Sequence, residues 1–141
     1  MSAMDREALL SSVKALVEAE FSADGLQTEV FPDDPDEFIR KYLKSQQGAL
    51  LLSYAGGRKI QRSGEYAKDR LFVVDLVVLA RAQLGDAGAL SHLRRLEAVL
   101  DGRRMVTGAG QAFDLETLDD TFLGEENKVW QYLLRLGCSL V

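Results

Sequence analysis

The chain has 141 residues, 47% hydrophobic and 28% charged, which is the composition and length of one ordinary globular domain with a real core. With 17 Lys+Arg against 22 Asp+Glu the formal net charge is -5, which excludes a protein that coats nucleic acid with its whole surface and leaves room only for a local basic patch. One cysteine, Cys138, and one histidine, His92, exclude an internal disulfide, a thiolate cage and a two-histidine metal site.

No basic-then-apolar leader opens the sequence. The longest apolar run, Leu71 to Ala80, is interrupted by Asp75 and is too short to span a bilayer, so the chain reads as cytosolic. Leu9, Leu10, Val13, Leu16, Val17 and Phe21 recur at helical spacing and predict an amphipathic helix that ends at Asp24-Gly25. Leu26 to Phe31 reads as a short strand. In Phe31-Pro32-Asp33-Asp34-Pro35-Asp36-Glu37, Asp34 is a cap, Pro35 a first helical residue and Glu37 the end of a capping box. A second helix is therefore predicted, with Phe38, Ile39, Tyr42 and Leu43 inward and Gly48 as its stop. Gly48 to Ala55 is a compact apolar run and predicts a central strand.

Residues 56–69 carry three glycines, four basic residues and few apolar ones, which predicts a long polar loop. Arg70 to Arg81 is the clearest strand: both of its alternating faces are apolar, so both are expected to be covered, by helices or by a partner subunit. Asp86 is expected to cap a third helix through Leu100, with Leu90, Leu93, Leu96, Val99 and Leu100 inward and Gly102 as its end. Gly108 to Leu123 reads as turn-rich and acidic, with one short strand near Phe113 to Leu115. Val129 to Leu136 fits a helix face and also a strand; the aromatics and Gly137 favour the strand. The expected class is α+β, with helices packed on a mostly antiparallel β-sheet in the order α-β-α-β-β-α-β-β, as a single domain over 1–141.

Catalytic and cofactor motifs are absent from the sequence. Gly108-Ala109-Gly110 lacks the third glycine of a dinucleotide fingerprint, and no phosphate-loop Lys follows a glycine-rich stretch. The expectation is no enzyme activity, no cofactor and no metal. His92 and Cys138 read mainly as structural residues. Asp75, mid-strand among apolar neighbours, pairs with an Arg or reaches water at a sheet edge or end. An enzymatic or ligand-binding domain would need Asp75, His92 and Tyr54 to converge in one pocket. The charges are patterned: Arg58, Lys59, Arg62, Lys68 and Arg70 form a basic cluster, and Asp114, Glu116, Asp119, Asp120, Glu125 and Glu126 an acidic one. Either could be a solvated face. Together they suit a head-to-tail contact, the kind that closes into rings.

Several stretches also match a known pattern in order: Phe31 to Pro35, Gly48 to Gly56, Val77 to Arg81, Leu96 to Gly102 and Glu125 to Tyr132. In these the chain resembles the tail terminator proteins of Mu-like phages and prophages, long described only as a domain of unknown function. Arg103 to Thr121 departs most from the pattern. The resemblance implies a fold similar to the lambda-type terminator and no catalytic residues. It implies a hexameric ring of identical subunits that caps the tail tube and joins it to the head connector. The implied partners are the chain itself, the tube protein and the connector protein, with no membrane. The implied location is the bacterial host cytoplasm during assembly, then the tail-head junction of the virion. The basic residues at 56–69 would face the lumen or a partner, where weak, sequence-independent DNA contact is also expected. Another head-tail connector, such as a neck or tail-completion protein, is the neighbouring alternative.

Overall fold

A computed structural model describes residues 4–24, 26–31, 48–61 and 68–141. Helix α1 (Arg6–Phe21) is opened by Asp5, whose carboxylate accepts from the Ala8 N–H at 2.9 Å. A single 3-10 turn, Ser22–Asp24, closes it. Strand β1 (Gln27–Val30) follows. The helix predicted from Pro35 lies outside the described residues. The chain then forms β2 (Gly48–Gln61), β3 (Lys68–Ala80), α2 (Ala89–Leu100), β4 (Arg104–Val106), β5 (Ala112–Glu126) and β6 (Val129–Leu140).

The strands form one six-stranded sheet in the order β1-β2-β3-β6-β5-β4. Every pairing is antiparallel except β1 with β2, which is parallel. The α+β class holds, but the sheet is mixed, and β4 is a strand that the sequence pattern did not reveal.

Both described helices lie on one face. Leu9, Val13, Val17 and Phe21 of α1 and Ala89, Leu93, Leu96 and Leu100 of α2 are buried against Leu50, Leu52, Phe72, Val74, Leu76, Val78, Leu134 and Leu136 of the sheet. Each such aliphatic or aromatic side chain contributes roughly 1.5–3 kcal/mol on leaving water. Arg95 ties the helices together: it bonds the Glu20 carboxylate and carbonyl and Asp24 (2.7 Å), and lies over the Phe21 ring at 4.3 Å. On the opposite, back face, Ala49, Leu51, Leu79 and Val129 form a smaller buried cluster with Val77 partly buried beside it.

Three expectations are corrected. Residues 56–61 and 68–69 are not loop: they are the outer ends of β2 and β3, paired from Gly56↔Val73 to Gln61↔Lys68. Gly56, at φ 140°, sits at a bulge that breaks the strand alternation and made the stretch look irregular. Residues 112–123 are likewise not turns but most of the 15-residue β5. Bulges at Thr117/Asp119 and Phe122/Gly124 interrupt its period of two, and its exposed acidic positions dilute the apolar signal. The cap of α2 is the Gly88 backbone rather than Asp86, and no side chain completes it.

Candidate functional site

The β2–β3 arm and the β5–β6 hairpin leave the sheet at opposite ends, because Leu71 pairs with Ser139 near one end and Ala80 with Trp130 near the other. The β5–β6 turn is the two-residue loop Asn127-Lys128, with φ 55° and 64°. The Glu125 carboxylate accepts from the Lys128 N–H at 2.7 Å.

Across the middle of the back face runs one polar row: Ser53 on β2 opposite Asp75 on β3, Asp75 opposite Arg135 on β6, and Arg135 opposite Asp119 on β5. Asp75 meets its arginine within the same chain, with Nε to Oδ1 at 3.1 Å. That hydrogen bond and the charge of Asp75, with a further contribution from Asp119, push the Arg135 pKa up from its ordinary value. Beside the row lies an open groove of ≈ 530 Å³ lined by Ala55, Gly56, Gly57, Arg58, Val73, Leu118, Asp119 and Arg135.

The basic cluster is thus a strand feature. Arg58 is exposed on the back face, in register with Leu71; Lys59 pairs in register with Arg70, whose guanidinium stands 5.6 Å from the Phe72 ring centroid. Arg62 lies outside the described residues, and Lys68 is placed only by its register with Gln61. The acidic cluster divides by use. Asp114 is held by a forked bond from Arg104 (2.9 and 3.3 Å), which pulls its pKa down. Glu125 closes the turn and Asp119 faces Arg135. Among the described residues, Glu116, Asp120 and Glu126 have no side-chain partner and stand exposed.

The three residues of the ligand-site alternative do not share a pocket. Asp75 is on the back face. Tyr54 is on the helix face, its hydroxyl accepting from Arg6 Nε at 3.3 Å. His92 is 3% exposed inside α2, its ring edge-on to Phe21 at 5.6 Å, with burial first among the causes that lower its pKa. Cys138 is buried and its thiol is pushed up to about 12 by desolvation. Among the described residues no group of three His, Cys, Asp or Glu is placed to hold a metal, and no helix is long and apolar enough to cross a membrane.

Sequence reasoning missed Arg135 as the partner of Asp75, and the exposed apolar pair Phe122 and Leu123 (52% and 49% exposed) among the acids of β5. Phe122 leans on Trp130 and Tyr132, with ring centroids at 5.9 and 5.2 Å. The signal was present: Phe113, Leu115 and Thr117 alternate as a strand does, and that strand continues through the acids.

The Gp37 protein family matches residues 19–141, and the chain belongs to that family. No curated protein matches it. Its fold is shared with a chain in the virion of a native gene transfer agent particle. The TM-score is 0.66 at 15% identity, and the match covers 99% of this chain and 98% of that one.

Proposed function

We propose that the chain is a structural protein of a phage-type particle, and specifically a tail terminator: a subunit of a ring that caps the tail tube and joins it to the head connector. The observation that carries this is the end-to-end correspondence of its fold with a chain of an assembled virion. The ordered stretches from Phe31 to Tyr132 that resemble Mu-like tail terminators support the finer role. So does the geometry, since a sheet with an arm at one end and a hairpin at the other suits a subunit that stacks between two other rings. In this role the chain performs no catalysis and needs no cofactor. It assembles in the host cytoplasm and ends at the tail-head junction.

Complementation of a phage or prophage lacking this gene tests the proposal. Particles without the chain should have tails of uncontrolled length that fail to join heads, and supplying the chain should restore both. Tails of normal length that join heads in the absence of the chain would contradict it. Normal tails that remain unjoined would favour the neck or tail-completion alternative instead.

A further inference from the structure

Among the described residues the sheet has two half-open edges, and their open halves are complementary. On one edge, β1 pairs with β2 over Ala49 to Leu52, and among the described residues the last bond on that side is from the Phe31 N–H to the Leu52 carbonyl. From Ser53 to Gln61 no strand among the described residues lies on the outer side of β2. On the other edge, β4 pairs with β5 only over Ala112 to Asp114; beyond it the Gly102 N–H donates to the Leu115 carbonyl, and the Arg103 carbonyl and Asp101 carboxylate accept from the Leu115 and Thr117 N–H groups. From Leu118 to Glu126 no strand among the described residues lies on the outer side of β5. Unpaired edges of this length are ready-made templates for another strand.

We infer that the open edge of β5 in one copy pairs, antiparallel, with the open edge of β2 in the next copy, and that this continuous sheet is what closes the ring. The inference rests on the ring assembly proposed above and supplies its contact surface.

The register gives the geometry. The row Ser53–Asp75–Arg135–Asp119 divides the sheet: the open half of β2 runs from that row toward the arm, and the open half of β5 runs from it toward the Asn127-Lys128 turn. Sliding the next copy along the strands by about six or seven residues, roughly 20 Å, brings the two open halves together. The same slide carries β1 of the next copy past the hairpin turn and leaves β4 beyond the tip of the arm, so neither blocks the pairing. Four strand spacings separate successive copies, roughly 19 Å, so the strands tilt by about 45° to the ring axis. That is at the upper end of the tilt that closed sheets adopt.

Side-chain chemistry fits one alignment. With Lys59 opposite Asp120, Arg58 falls opposite Thr121 and diagonal to Asp119, so a basic edge meets an acidic one. The described pairs then lie on common faces, since Arg58, Asp119 and Thr121 are back-face positions while Gly57 and Phe122 are helix-face positions. The alignment also sets the exposed Phe122 opposite Gly57 and Leu123 opposite Gly56. An aromatic ring over an edge glycine is a known device for stabilising strand pairs. It would remove from water the two most conspicuous apolar side chains of β5.

Cysteine pairs test the register in the full-length chain. Arg58→Cys with Thr121→Cys in one chain cannot bridge internally, because β3 and β6 lie between those positions and the register offsets them by six residues along the strands, roughly 25 Å in all, whereas a disulfide needs Cα atoms within about 7 Å. Mild oxidation should therefore give a covalent ladder ending at the ring, while Arg58→Cys with Glu116→Cys gives none. The native Cys138 is buried and stays out of the reaction. Independently, Asp120→Lys should lower the ring fraction severalfold, and Lys59→Asp in the same chain should restore it. Wild-type rings seen by mass photometry without a ladder would overturn the edge pairing and leave the ring standing. A wild-type chain that stays monomeric both alone and on tail tubes would overturn the ring and the pairing together.

Discussion

Asp75 and Arg135 face each other across β3 and β6, with the carboxylate Oδ1 3.1 Å from the guanidinium Nε, at the centre of the polar row that crosses the back of the sheet. The Asp75 side chain is 16% exposed and Arg135 44%. A carboxylate in this apolar strand is tolerable because a cation stands directly opposite. The exposed arginine keeps the interaction partly screened, so a double-mutant cycle of Asp75→Asn and Arg135→Gln should give a coupling of about 0.5–1 kcal/mol in urea denaturation. A coupling indistinguishable from zero would show that the two charges are solvated separately.

His92 makes stability depend on pH. Burial against Phe21, with the positive charge of Arg95 nearby, lowers its pKa; the negative charge of Asp24 opposes this only in part. The folded pKa thus lies below the unfolded value of 6.5. Above pH 6.5 both states are neutral at this residue and it adds nothing. As pH falls through 6.5 the unfolded chain gains a proton that the folded chain refuses, so stability declines until the folded pKa is reached. Thermal melts from pH 7.5 to 5 should show that decline in the wild type and a flatter profile in His92→Leu. Parallel profiles would remove His92 as the cause.

The turn Asn127-Lys128 places a lysine at φ 64°, a conformation that costs an L-residue with a Cβ about 1 kcal/mol and that glycine adopts freely. Lys128→Gly should therefore stabilise the chain by up to about 1 kcal/mol, less the entropy that glycine regains when unfolded. Chemical denaturation measures it directly. A loss of stability would mean that the Lys128 side chain contributes more than its backbone strain costs.

The basic arm can be stripped without unfolding the subunit. Arg58 is exposed, and exposed charges typically change stability by about 0.5 kcal/mol or less. Arg58→Ala, Lys59→Ala, Arg62→Ala together should melt like the wild type yet give fewer joined particles in the complementation assay. Wild-type counts of joined particles and plaques would make the cluster a solvated surface and nothing more.

Much of this fold was legible because periodicity survives burial. Leu9, Val13, Val17 and Phe21 announce α1, and the doubly apolar run through Val74, Leu76 and Val78 announces β3, which pairs over that run with β2 on one side and β6 on the other. Edges were harder. β5 and the outer half of β2 have an open side, so exposed acids, basic residues and glycines replace the apolar alternation, and bulges at Gly56 and Gly124 shift its phase. The candidate surfaces show the same division. Charge clustering at Arg58 and Asp120 was visible as composition, but only strand register shows that Asp75 looks to Arg135, or that Asp114 is already taken by Arg104.

Direct localisation tests the central claim. Electron microscopy of purified particles, with a small tag at the C-terminus of the chain to label it, should show the density at the head-proximal end of the tail tube as a single closed ring one subunit thick. Label along the tube, at the distal tip, or absent from finished particles would contradict a tail terminator.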